Sequence, residues 1–439
     1  MSLLIRRATI LTMNDAWDVV HGDVWIQDGR IAAVGTAPDG EAPATVIDAE
    51  GGLVLPGFIQ SHIHLCQTLF RGAADDLPLM AWLRERIWPL EAAHDDRTLA
   101  AAARLAAAEL LAGGTTAVLT METVHGTDAV CEALVPTGLR AVVGKCLMDD
   151  ADAPPRLRQG WREGLDESLA LDARWRGAGD GRLRTALAPR FAVSCSRELL
   201  EATAAVSAER RLLVHTHASE QPDEVALVRA RTGMDNVEYL EAVGLATDRL
   251  CAAHCVWVTE AEQRILAERA VRVLHCPGSN LKLGSGIAPV TEMRARGIHV
   301  SLGADGAACN NTLDMFQEMR LAATLQAMRR GPGALPAREA VWMATREGAR
   351  ALGQEADLGS VEVGKIADLI VVAADGLHQT PVEDDYARLV YSSGPADVRA
   401  TIVGGRVLWR DGELRWADRR SIRAEALEAR EQLRARAGV

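Results

Sequence analysis

The chain has 439 residues, 48% of them hydrophobic and 25% charged, which is the balance of a globular protein and not of a disordered one. That length buries a large core, so stability requires neither disulfides nor a structural metal. Lys and Arg number 48 against 60 Asp and Glu, a formal charge of −12 without a basic cluster. Nucleic acid and anionic membrane surfaces are therefore poor partners.

No long apolar segment follows Arg6-Arg7, and no run reaches the length of a membrane span. A signal peptide and a transmembrane helix are not expected, and a cytoplasmic location is. The eight cysteines form no C-x-x-C pair and sit mostly in apolar runs, which reads as buried free thiols.

Residues 3–55 read as short strands: Ile5 to Leu11, Asp23 to Gln27, Arg30 to Val34 and Val46 to Asp48. Asp28-Gly29 is a hairpin signal. The same texture returns at Ala367 to Val372, Ala400 to Val403 and Arg406 to Trp409. Between these ends, apolar runs at Leu53–Ile59, Thr116–Leu119, Leu139–Val143, Leu183–Ala188, Leu212–His215, Leu250–Ala253, Val271–Leu274 and Val300–Leu302 alternate with amphipathic stretches such as Leu99 to Leu111, Arg197 to Arg210, Glu260 to Arg269 and Leu313 to Met328. This pattern predicts an α/β protein: a (β/α)8 TIM barrel with a small β-sandwich built from both termini. The expected division is 1–55 and 359–439 for the sandwich, the latter with a C-terminal helix over 420–436, and 56–358 for the barrel. A doubly wound sheet is the alternative, but no G-x-G-x-x-G follows the first strand.

Catalytic residues of such barrels lie at the C-terminal ends of the strands. The first run leads into His62-Ile63-His64, whose imidazoles share a face of the strand. The fifth leads into His215-Thr216-His217-Ala218-Ser219-Glu220, the sixth into His254 and the eighth into Asp305. An H-x-H pair alone is common, but four strand ends bearing imidazoles or carboxylates on one rim point to a metal site. The motifs C-x-x-C, H-E-x-x-H and G-x-S-x-G are missing, and no Lys follows the fourth run to bridge two metals, so one metal is expected.

The chain resembles the amidohydrolase superfamily, in particular its cytosine/guanine deaminase-like branch. The motifs are Pro56-Gly57-Phe58-Ile59 before His62-x-His64, the Arg71–Leu79 block with Trp82, Ile87-Trp88-Pro89-Leu90-Glu91, His275-Cys276-Pro277-Gly278-Ser279-Asn280-Leu281-Lys282-Leu283, and Asp305-Gly306-Ala307 with Asn310-Asn311. The resemblance implies His62, His64, His217 and Asp305 as ligands of one divalent metal, Zn²⁺ with Fe²⁺ as the rival. It implies Glu220 as proton shuttle, His254 as the group orienting water or ring, and Asp305 as a proton acceptor. His215 falls behind the ligands. The implied activity is hydrolytic deamination of an aminopurine, with release of ammonia.

Two signals compete over the ring. Trp82 and Glu91 resemble the deaminases of 5'-deoxyadenosine, methylthioadenosine or S-adenosylhomocysteine, in which the glutamate holds ribose hydroxyls. Gln67 and Arg190 resemble guanine deaminases, in which they bond an oxo-purine edge. A 5'-modified adenosine is the leading substrate. A guanine-like or pterin ring, an s-triazine, and a non-catalytic metal-binding barrel stay open. The resemblance further implies a homo-oligomer. His21, His94, His299 and His378 are expected in solvent, and His125 and His275 near the rim.

Overall fold

A computed structural model describes residues 2–38, 42–151 and 153–438. The two β-rich ends form one sheet around their own core. Its order runs Glu413–Leu414, Arg406–Arg410, Val398–Val403, Leu369–Val372, Leu53–Pro56, Ser2–Leu11, Val19–Gln27 and Arg30–Gly35, with Thr45–Asp48 pairing Ser2–Leu11 in parallel. Ile5, Ile10, Ile26, Val54, Leu369 and Ile402 fill that core. Asp28 and Gly29 take φ of 47° and 81°, the left-handed pair that a two-residue hairpin needs.

The second sheet is the barrel. Phe58–His64, Thr115–Met121, Arg140–Leu147, Leu183–Pro189, Leu213–Ala218, Leu250–His254, Arg272–His275 and His299–Leu302 follow one another in parallel. The last strand breaks at Gly303-Ala304 and resumes as Asp305–Gly306, which pairs with Phe58–His64 and closes the ring. A Cβ on Gly303 would lie 2.5 Å from the His62 carbonyl oxygen, so only glycine lets the eighth strand cross there. The apolar run Leu53–Ile59, expected as one barrel strand, is two strands. Leu53–Pro56 joins the terminal sheet and Phe58–His64 the barrel, with the turn at Pro56-Gly57 that burial on both sides hides from an apolarity pattern.

The connecting helices follow their local signals. Asp96–Ala112 starts at a capping box in which Asp95 accepts from the Thr98 amide. Arg419–Ala437 starts at Asp418, accepting from Ser421, and buries only Ile422, Ala426, Ala429 and Leu433. Among the described residues no helix is long and apolar enough to cross a membrane.

Barrel and terminal sheet are joined by a buried ion pair. Arg140 on the third barrel strand donates to both oxygens of Asp368, at 2.8 and 3.1 Å, and Asp368 also accepts the Gly404 amide at 2.7 Å. Removing one partner strands a buried charge. Asp368→Ala should therefore cost about 3–5 kcal/mol of unfolding free energy, read from the denaturant midpoint. A cost below about 1 kcal/mol would show that the pair does not couple the two sheets.

Candidate active site

His62 and His64, at the end of the first barrel strand, His217 on the fifth, His254 on the sixth and Asp305 on the eighth converge at the C-terminal mouth of the barrel. His62, His64 and Asp305 form one group whose ligand atoms lie within 4.8 Å of one another, and His62, His217 and His254 form another. Asp305 Oδ1 stands 3.3 Å from Nε2 of both His62 and His64. His64 Nε2 and His217 Nε2 are also 3.3 Å apart.

That last contact is informative. His64 Nδ1 donates to the Met121 carbonyl at 2.8 Å and His217 Nδ1 to the Arg190 carbonyl at 2.7 Å. With Nδ1 carrying the proton, each neutral ring presents a lone pair at Nε2. Two facing lone pairs repel unless a cation lies between them. Buried His62 Nε2 and His254 Nε2 have no hydrogen-bond partner, while their Nδ1 atoms are engaged by His215 Nε2 at 2.6 Å and Asn280 Oδ1 at 2.8 Å. Imidazoles pinned at one nitrogen, with the other aimed at a common point beside a carboxylate, are the donor set of a catalytic divalent site. Metal–ligand bonds of 2.0–2.1 Å in tetrahedral array put donors about 3.3 Å apart, the spacing found here. The residues fit a divalent metal.

Electrostatics agree with that fit. Burial holds the His62 pKa down to about 4 and pushes that of His217 down as well. Burial opposes the Asp305 charge, but hydrogen bonding and attraction from His62 and His64 outweigh it and keep the carboxyl ionised. For Glu220 burial wins and raises the pKa to about 7, which suits a group that carries a proton near neutrality. His254 is opposed by burial, yet the Glu220 and Asp305 carboxylates raise its pKa. Its Nε2 stands 3.6 Å from Glu220 Oε2 and 3.9 Å from Asp305 Oδ2. The backbone is strained at these positions: Ser219, His254 and Asp305 adopt φ of 54°, 70° and 62°. Non-glycine residues in the left-handed region cost on the order of 1–3 kcal/mol each and cluster at functional sites.

The expected substrate residues do not act separately. Arg190 donates to Glu91 at 2.6 and 3.2 Å, and Gln67 Nε2 donates to the same carboxylate at 3.0 Å, all buried. The nucleoside-like and guanine-like signals are thus parts of one cluster. Arg190 lines the central cavity together with His64, His217, Glu220, His254 and Asp305, whereas Glu91 and Gln67 stand behind it. Leu79, Trp82 and Leu83 form an apolar wall of the same cavity, and the buried Trp82 Nε1 has no partner. The cavity encloses about 20 Å³, room for a water molecule.

Two histidines depart from expectation. His94 is half-buried and not open to solvent: its ring bonds Thr98 and the Cys66 carbonyl, and burial lowers its pKa to about 4. His125 does not line the cavity but is exposed in the loop after the second strand. His275 is buried at the end of the seventh strand with neither ring nitrogen partnered. All eight cysteines are buried and free, as expected.

Comparison with known proteins agrees with this geometry. The signature of the amidohydrolase family matches residues 53–408. A 5'-deoxyadenosine deaminase of Methanothermobacter thermautotrophicus is 44% identical, with 94% of each chain covered. A 5-methylthioadenosine/S-adenosylhomocysteine deaminase of Halobacterium salinarum is 42% identical over the whole of both chains, 100% of each. A solved zinc-bound adenosine deaminase of Xanthomonas campestris superposes with a TM-score of 0.93 at 35% identity, covering 99% of this chain and 98% of that one. The chain belongs to the amidohydrolase family.

Proposed function

We propose that this protein is a zinc-dependent aminohydrolase that deaminates a 5'-modified adenosine, such as 5'-deoxyadenosine, methylthioadenosine or S-adenosylhomocysteine. One observation carries the reading: metal-competent Nε2 atoms and the Asp305 and Glu220 carboxyls face one cavity. The names of the similar proteins supply the substrate class.

His62, His64, His217 and Asp305 Oδ1 would hold the cation. Bound there, Zn²⁺ would acidify a water molecule and provide a strong nucleophile at neutral pH. Asp305 Oδ2, turned away from the ligand cluster, accepts the proton of the attacking water. His254 Nε2, between Glu220 and Asp305, aims that water at the amino-bearing C6. Glu220 protonates the neighbouring N1, which discharges the negative charge that builds on the ring. Of the two water protons, one ends on N1 and the other leaves with the amino group as ammonia.

Arg190, held by Glu91, whose carboxylate also accepts from Gln67, is the polar group facing the nucleoside, with Trp82 packing beside it. The Leu79–Leu83 wall must swing out to admit a nucleoside, because the cavity is far below the usual ligand-pocket volume of about 300–1,000 Å³.

Ammonia release from a panel of aminopurines tests the reading. 5'-Deoxyadenosine or methylthioadenosine should exceed free adenine by orders of magnitude in kcat/KM, because a site built to bond a group rejects analogues that lack it. Glu91→Ala, which frees Arg190, should erase most of that gap. Efficient turnover of guanine, lost in Arg190→Ala, with 5'-deoxyadenosine and methylthioadenosine left unchanged, would replace the nucleoside with an oxo-purine.

A further inference from the structure

The seventh barrel strand delivers no ligand to the metal cluster, yet the segment it launches touches the site at three points. Ser279 Oγ donates to Asp305 Oδ2 at 2.6 Å. His254 Nδ1 donates to Asn280 Oδ1 at 2.8 Å. Ser285 Oγ donates to Glu220 Oε1 at 3.3 Å. All three side chains are buried. We propose that residues 279–285 form a positioning element in which Ser279, Asn280 and Ser285 each orient one of the groups that handle protons, Asp305, His254 and Glu220.

Each contact resolves an ambiguity in the group it holds. A carboxylate can rotate and offer both oxygens to a cation. Asp305 Oδ1 faces His62 and His64 and accepts the Gly306 amide at 2.7 Å. The Ser279 hydroxyl holds Oδ2 on the other side, where it stays free to take a proton. Asn280 fixes the tautomer of His254, so that Nε2 presents its lone pair to the cavity. Ser285 occupies Glu220 Oε1 and leaves Oε2, 3.6 Å from His254, for the ring nitrogen.

The segment is mounted rigidly enough for this work. Buried Glu318 accepts the Gly278 amide at 2.9 Å and the Asn310 side chain at 2.8 Å. A Cβ on Gly278 would lie 2.5 Å from Glu318 Oε1, so the chain rests directly on that carboxylate. Gln221, next to the shuttle in sequence, donates to the Leu283 carbonyl at 2.8 Å and to Ser285 Oγ at 3.2 Å. At the outer end Lys282 Nζ bonds Asp75 Oδ1 at 2.5 Å, tying the segment to the loop that leads into the Leu79–Leu83 wall.

The proposal rests on the roles assigned above to Asp305, His254 and Glu220, so its test carries one readout that needs no substrate. Ser279→Ala, Asn280→Ala and Ser285→Ala should each lower kcat roughly 10–100-fold, the usual cost of an outer-shell partner. KM and zinc per chain should stay at wild-type values, and Ser279→Thr, which keeps the hydroxyl, should recover most of the loss. Leu281→Ala, on the exposed side of the same segment, should match wild type. In cobalt-loaded protein Ser279→Ala should shift the visible d–d bands, because Asp305 turns, and Ser285→Ala should not. Wild-type kcat in the three alanine variants, or an unshifted cobalt spectrum in Ser279→Ala, overturns the proposal. Wild-type protein inactive on every aminopurine would instead overturn the assigned reaction, and the cobalt spectrum would still decide on Ser279.

Discussion

Glu220→Gln should retain fold and metal and lose turnover by roughly 10²–10⁴-fold, the scale for removing a general acid/base. The glutamine keeps the shape of the side chain and its contact with Ser285, but it can neither carry nor release a proton. The Glu220 carboxyl touches His254 and Ser285, whereas the metal-competent cluster is made by His62, His64, His217, His254 and Asp305. Zinc per chain should therefore stay at the wild-type value while kcat collapses. Zinc loss, with near-normal turnover once metal is restored, would show that Glu220 is a ligand and not the shuttle.

The larger effect should come from His217. Its Nδ1 is anchored to the Arg190 carbonyl, and its Nε2 stands 3.3 Å from His64 Nε2. His217→Ala deletes a donor from the cluster and should leave protein with little bound zinc and activity at background. Chelation of the wild type should have the same consequence, reversed by added Zn²⁺. Full activity in verified metal-free protein would exclude the mechanism. The two variants separate the roles: one loses metal and chemistry together, the other chemistry alone.

Much of this was legible in the sequence because strand and helix periods expose it. The H-x-H pair at His62 and His64, the HTHASE run ending in Glu220, and isolated His254 and Asp305 follow apolar runs, and topology brings strand ends to one rim. The amphipathic stretch Arg197 to Arg210 is a helix over the same residues, and the structure shows Ser196 capping its start and Arg211 closing it in a left-handed turn. What escaped was tertiary. Gln67, Glu91 and Arg190 look like three independent substrate contacts, and only the fold makes them one cluster, since they lie 24 and 99 residues apart from Glu91. Ser279, Asn280 and Ser285 gave no signal as small polar residues after a strand without a ligand, and their partners are 26 to 65 residues away. The break at Pro56-Gly57 was masked because both flanking strands are buried on both faces, which removes the alternation that marks a half-exposed strand. His94 looked like a helix-end residue and is one, but the Cys66 carbonyl covers it.

The most direct test is turnover of 5'-deoxyadenosine by the zinc-loaded enzyme in heavy-oxygen water, with product mass and ammonia followed together. The expected result is 5'-deoxyinosine carrying one heavy oxygen at C6, formed in equal amount with ammonia. Free adenine released by cleavage of the glycosidic bond, an unlabelled product, or no turnover at all would contradict hydrolytic deamination at this site.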